Sequence, residues 1–274
     1  MNYTNKMLFK IKSYSNFLWN SKNEHAVHSP FVFEFICKCI YDREYKPEYI
    51  VLSEYRNSLL ENKNTIQVTD FGAGSRVFKS NNRSINKIAQ TAGISKKRAE
   101  LLFRIVNYFQ PDSSNNEQAK LSILEIGTSL GLATAALALG NIKSNITTLE
   151  GCPSTIGIAK NKCRLHNLKN IEFVLTEFTS YLKSFHPPAS GFQLIYFDGD
   201  HSKKATLDYF ELLLPTITNE TLWIFDDIHW SFEMMEAWEI IKKHPKVTVT
   251  IDTFQWGLVF FRREQPKEHF VIRV

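Results

Sequence analysis

Cysteine is scarce in this sequence and badly spaced for a metal cluster. Cys37, Cys39, Cys152 and Cys163 form no CxxC pair, so buried free thiols are expected rather than zinc ligands. No apolar run reaches membrane-spanning length. The first twenty residues interleave Lys6, Lys10 and Lys12 with polar groups and lack the apolar centre of a signal peptide. These absences predict a cytoplasmic protein. Core-forming material is plentiful: 43% of the residues are hydrophobic and 13% aromatic, which argues against disorder. The 274 residues accommodate one large domain or a domain with a sizeable appendage.

Acids are thin in one stretch. Residues 1–120 hold 18 Lys+Arg against 11 Asp+Glu, whereas residues 121–274 hold 15 against 17. The excess is densest from Arg76 to Arg104, with eight basic residues and only Glu100 in opposition. Such a run is either a solvated helical face or a rim that attracts an anionic substrate or nucleic acid.

From Leu121 onward, short β-like runs alternate with amphipathic helical stretches. Near-continuous apolar strands separated by helices predict a parallel sheet covered on both faces. The last two strands, "KVTVTI" and "GLVFFRR", are joined only by "DTFQW". That link is too short for a helical crossover and requires an antiparallel hairpin. The expected fold is therefore α/β, a Rossmann-like, seven-stranded, mostly parallel sheet closing with a C-terminal hairpin. The helical patterns of "HSPFVFEFICKCIYD" and "SKKRAELLFRIVNYF" predict a mostly helical cap over residues 1–110, packed across the mouth of a core at 111–274.

Two glycine-bearing segments follow an acid, "DFGAGS" at Asp70 to Ser75 and "EIGTSLG" at Glu125 to Gly131. A nucleotide-type loop should leave a strand, enter a helix and be followed one strand later by an acid for ribose hydroxyls. Only the second meets these conditions, with Glu150 23 residues after Gly127. "DFGAGS" runs instead into the polar, basic "RVFKSNNRS", and its role stays open.

The ordered set of "LEIGTSLG", the acid closing "TTLEG", "YFDGDHS" and the terminal hairpin resembles the S-adenosylmethionine-dependent class I methyltransferases. The resemblance covers about residues 115–264 and is closest to a bacterial O-methyltransferase-like branch with a "DGDH" motif. It implies a transferase that binds S-adenosylmethionine through Glu125, Gly127, Thr128, Ser129, Gly131, Glu150, Glu177 and Asp198. Glu150 would accept from the ribose and Glu177 from the adenine amino group, although Glu177 could equally be structural. In metal-dependent relatives the aspartate matching Asp198 binds a divalent cation, and a basic residue three positions on deprotonates the acceptor. His201 has that spacing, where the family usually carries Lys, and imidazole titrates near working pH. Asp226 and Asp227 match an Asp–Asn ligand pair, so Asp198, Asp226 and Asp227 are candidate Mg²⁺ ligands. Asp227 could instead cap the following helix, which leaves the metal open.

The expected reaction is methylation of a hydroxyl on a small molecule, anionic or aromatic, by a chain that could pair as a homodimer. The rival reading takes residues 84–104, "INKIAQTAGISKKRAELLF" at their centre, as a helix-turn-helix, making the chain a nucleic-acid binder or an RNA or DNA methyltransferase. Against it, Leu101, Leu102, Phe103, Ile105, Val106 and Phe109 leave little polar face for a major groove. An Asp/Asn-Pro-Pro-Tyr/Phe signature for amino methylation is also absent. His229 reads as either a pocket residue or a hydrogen-bonded structural histidine.

Overall fold

The computed structural model describes residues 3–69, 80–110, 120–184, 187 and 191–274. The "DFGAGS" segment and most of the linker at 110–120 lie outside the described residues. The N-terminal region is helical: α1 (Tyr3–Asn20), α2 (Pro30–Phe35) running into a π-helical turn (Ile36–Ile40), and α3 (Glu48–Leu60). A two-stranded antiparallel ladder, β1 (Thr65–Gln67) with β2 (Asn82–Ser84), leads into α4 (Ile85–Thr91) and α5 (Lys96–Tyr108). Pro30 sits in the first turn of α2, where its missing N–H costs nothing, and the Ser29 hydroxyl caps that turn by accepting from Val32 N–H.

The core then alternates: β3 (Ser122–Ile126), α6 (Leu132–Gly140), β4 (Asn145–Glu150), α7 (Pro153–Leu165), β5 (Ile171–Leu175), α8 (Phe178–Ser184), β6 (Leu194–Phe197) and α9 (Lys203–Leu213). It continues with β7 (Leu222–Asp226), α10 (Phe232–Lys243), β8 (Val249–Asp252), β9 (Trp256–Phe260) and β10 (Glu268–Val271). Strand order is β10-β8-β9-β7-β6-β3-β4-β5, and only β9 runs antiparallel to its neighbours. The order reverses between β3 and β6, so the crevice outside their carboxyl ends is where a ligand belongs. The expected hairpin is β8–β9. The eighth strand departs from the expected seven: β10 adds in parallel to the outside of β8, a four-residue edge too short for its pattern to mark it.

The sheet divides the apolar interior into two layers. One face carries Leu124, Ile195, Trp223 and Phe225 under α8, α9 and α10, with Phe210, Leu213, Trp238 and Ile241 among the buried residues. On the other, Ile123, Ala136 and Phe260 belong to one cluster with Phe35, Tyr55, Leu102 and Val106 from the N-terminal helices. Each such large apolar side chain contributes roughly 1.5–3 kcal/mol on burial, so α5, packed on α6, is part of the core rather than a lid across its mouth. Phe31 and Phe35 pack against Phe260, which joins α2 to the sheet. Among the described residues, no helix is long and apolar enough to cross a membrane.

Candidate functional site

The glycine loop leaves β3 with Gly127 at φ +106, a conformation L side chains rarely adopt. A Cβ there would lie 2.5 Å from the carbonyl oxygen of Asp198, so glycine lets the loop lie against the end of β6. Gly131, at φ +79, is needed for a different contact: a Cβ would meet the Tyr55 hydroxyl at 2.5 Å and α7 behind it. Tyr55 donates to the carbonyl of Leu130 at 2.9 Å, which ties the loop to α3.

The acids here have neutral partners. Glu125 is fully buried, and its Oε2 accepts from the Thr134 and Thr148 hydroxyls at 2.5 Å each. Its Oε1 is buried without a partner. Burial dominates those hydrogen bonds and pushes its pKa up to about 8. Glu150, at the end of β4, accepts from Ser129 N–H at 2.7 Å and Cys152 N–H at 2.9 Å. Burial still raises its pKa against these bonds. The Thr128 hydroxyl is turned inward onto Thr148 and the Leu149 carbonyl, so it fastens the loop, and only the backbone of Thr128 is available to a ligand. Glu177, the expected adenine acceptor, is engaged locally. Its exposed carboxylate accepts from Thr179 N–H and Ser180 N–H at 2.9 and 2.6 Å, which caps α8. What burial it has would raise its pKa, but hydrogen bonds from Ser180 and Thr179 hold it down at about 2.

The neighbouring strand ends are charged. Asp198 follows β6, Asp226 closes β7, and His201 Nε2 lies 3.5 Å from Asp198 Oδ1. Burial opposes the imidazolium, but the hydrogen bond to Asp198 and the charges of Asp198, Asp227 and Asp226 outweigh it and raise the His201 pKa to about 9. Burial, with the Asp198 charge, raises Asp226 despite nearby cations. Asp227 is pushed up to about 6 by burial and by Asp226. Ser129, Asp200, Asp227 and Phe254 all take positive φ, at 48°, 48°, 53° and 72°. They follow β3, β6, β7 and β8 respectively, so backbone strain of roughly 1–3 kcal/mol per residue gathers around this one crevice.

One participant had no signal in the sequence. Arg98, in the first turn of α5, reaches Asp226 Oδ1 through Nη1 at 3.2 Å, with side-chain exposures of 26% and 6%. The basic stretch is thus partly turned inward. Arg98 enters the crevice, Arg104 donates to the carbonyls of Cys39 and Ile40, and Arg56 donates to Ile94 O at 2.8 Å across the α4–α5 turn. With Ala99, Leu101, Leu102, Phe103, Ile105 and Val106 buried, α5 presents no free recognition face.

The atoms a cation would need come from Asp198, His201 and Asp226, which lie within 4.8 Å of one another. Asp227, expected as a ligand, stays outside that cluster. The set does not fit a resident divalent ion, because Arg98 already holds Asp226 and His201 already leans on Asp198. His229 resolves toward structure: Nε2 lies 2.7 Å from Asp252 Oδ2 and Nδ1 3.0 Å from Ser13 Oγ, tying α1 to the end of β8. A cavity of about 1190 Å³ beside α3 and α5 is lined by Tyr41, Tyr49, Lys96, Glu100, Arg104 and Arg273. Its lining includes neither the glycine loop nor Glu150, Asp198, His201 or Asp226, so its size does not make it the reaction site.

Residues 124–228, from β3 to just past β7, match the methyltransferase domain family. The matched segment holds the glycine loop and the ends of β4, β6 and β7. The architecture of the core is shared by solved methyltransferase structures. A putative O-methyltransferase from Klebsiella pneumoniae aligns at 17% identity and TM-score 0.52, covering 80% of this chain and 92% of that one. An S-adenosylhomocysteine-bound methyltransferase of Podospora anserina aligns at 12% identity and TM-score 0.56, covering 86% and 97%. TomG, an O-methyltransferase of Streptomyces achromogenes in complex with S-adenosylmethionine, aligns at 12% and 0.54, covering 80% and 91%. No curated protein sequence matches the chain.

Proposed function

We propose that this protein transfers the methyl group of S-adenosylmethionine to a hydroxyl oxygen of a small molecule. The observation that carries the reading is the contact of Gly127 with Asp198, which sets the glycine loop directly beside the Asp198–His201 pair. The solved neighbours that hold S-adenosylmethionine or its demethylated product support the same cofactor here.

The loop fits such a cofactor. Gly127 leaves room that a Cβ would fill. Glu150 has carboxylate lone pairs beyond its two backbone bonds, enough to accept ribose hydroxyls. The partnerless Glu125 Oε1, on a carboxyl that burial favours in its protonated form, supplies a buried donor behind the loop. When bound, the cofactor would supply an electrophilic methyl group on a sulfonium. The rest falls to positioning and proton removal. His201 accepts the acceptor's hydroxyl proton at a ring nitrogen from its neutral form, and Asp198 orients the ring and stabilises the resulting imidazolium. With the cofactor bound, the deprotonated oxygen would be the nucleophile for its methyl carbon, and the thioether would be the leaving group.

The test is a screen of small-molecule extracts with methyl-labelled S-adenosylmethionine. Label should appear in an organic product as a methyl ether, which withstands mild alkali that would release the label of a methyl ester. Label found only in nucleic acid, or no binding of the cofactor by calorimetry, would overturn the proposal.

A further inference from the structure

We propose that Arg98 is the resident cation of this site, filling the charge-balancing place that a divalent metal would take between β6 and β7. The proposal rests on the methyl-transfer reading for its purpose, but not for its geometry. Asp198, Asp226 and Asp227 crowd three carboxyl groups at adjacent strand ends, and the charges of all three act on Arg98. Carboxylates packed this closely need a cation, or protonation, to coexist. Arg98 meets the need by direct contact with Asp226, the most buried of them.

The fold holds Arg98 there deliberately. The Ser95 hydroxyl caps α5 by accepting from the N–H of Arg98 itself. Arg56 of α3 pins the turn before it, through the carbonyls of Ile94 and Ala89. Leu102 and Val106 then anchor the helix in the core it shares with the sheet. A guanidinium so fixed brings its charge permanently, with no dependence on metal supply. It also blocks the metal: an incoming ion must displace it from Asp226 while suffering its repulsion. Arg98 is therefore a positioning residue, acting on the acceptor through Asp226 and Asp198, and the α4–α5 turn that resembles a nucleic-acid motif exists to deliver it.

Manganese titration followed by electron paramagnetic resonance tests this on the whole protein, without any methyl transfer. Wild-type protein should leave Mn²⁺ free, with any affinity in the millimolar range of weak sites. Arg98→Ala should expose the Asp198–His201–Asp226 set and bind Mn²⁺ at least about tenfold more tightly, and adding Asp226→Asn should remove that gain. Arg98→Lys, which keeps the charge, should bind no better than wild type and guards against a merely misfolded alanine variant, as does circular dichroism. Tight Mn²⁺ binding by wild type that is lost on Asp226→Asn would overturn the proposal, as would a folded Arg98→Ala variant that gains no affinity. Calorimetry with S-adenosylmethionine on the same samples separates this failure from failure of the methyl-transfer reading, because the cofactor can bind whether or not manganese does.

Discussion

The ends of β3 and β4 and the ends of β6 and β7 are adjacent, yet they stabilise buried acids in opposite ways. At the first, Glu125 and Glu150 are met by uncharged donors, two threonine hydroxyls and two backbone N–H groups. At the second, Asp198 and Asp226 are met by a histidine and an arginine. Neutral donors leave an acid's proton affinity to burial, and Glu125 drifts up to about 8. With ionic partners the perturbation is shared: His201 rises to about 9, while burial and the Asp198 charge still raise Asp226 against Arg98. The difference suits two tasks. A cofactor cradle needs a fixed shape and little charge, whereas an acceptor site needs a proton-accepting group and a balanced field.

The sharpest way to break this comparison is to deform the cradle alone. Gly127→Val places side-chain atoms where a Cβ is already within 2.5 Å of Asp198 O, at a φ that valine cannot adopt without strain. Cofactor binding by calorimetry should vanish, a loss of at least about 10²-fold if each clash costs a few kcal/mol. Tight binding by a folded variant would mean that the cradle lies elsewhere.

The next largest effect belongs to the charged end. His201→Ala should lower turnover by roughly 10²–10⁴-fold while leaving cofactor affinity nearly unchanged. Because His201 is protonated well above neutrality and works from its neutral form, kcat should climb with pH and level off only near pH 9. A flat profile between pH 6 and 9, in roughly the range where imidazole normally titrates, would remove His201 as the base.

The two ends also differ in how readily the sequence reveals them. The cradle is one β-loop-α-β unit, with Glu125, Gly127 and Glu150 on a short length of chain, so spacing carries their geometry. The parallel sheet and its hairpin are legible for the same reason, since local period and link length determine them. The charged end joins residues 128 positions apart, Arg98 and Asp226, and nothing in a basic run tells an inward arginine from a solvated one. Glu177 is less legible, because an acid at a strand end looks the same whether it caps a helix, meets a ligand or does both. The β10 edge and the tie from Ser13 to His229 likewise depend on tertiary contacts with no local pattern.

A pH titration of stability sharpens the contrast at moderate amplitude. Glu125 has a folded pKa of about 8 against an ordinary value of 4.5. A carboxyl raised in the folded state contributes its stability below the unfolded pKa and loses it as pH rises through the folded one. Wild-type protein should therefore lose stability between about pH 4.5 and 8 through this group, by at most ~4–5 kcal/mol. In urea unfolding from pH 5 to 9, Glu125→Gln should lack that component of the slope, even though its amide makes it less stable at pH 5. Parallel curves for the two proteins would show that Glu125 is not held neutral by burial.

The smallest effect probes how far the charged end depends on the N-terminal helices. Ser13 on α1 reaches His229 Nδ1 at 3.0 Å, His229 reaches Asp252, and Lys10 lies 3.7 Å above the Trp230 ring beside Asp227. Ser13→Ala removes one hydrogen bond of this tie and leaves the histidine paired with Asp252, while Tyr14 and Phe17 keep their contacts with Phe254. The cost should be about 1 kcal/mol, or roughly 2–4 °C in the thermal midpoint for a chain of this size. Cofactor affinity should not change, since the Ser13 hydroxyl meets His229 and Met235, whereas Glu150 is held by Ser129 and Cys152. A matching loss of cofactor affinity would mean that the two ends are mechanically coupled through β8 and β7, and that their separate chemistries do not make them separate sites.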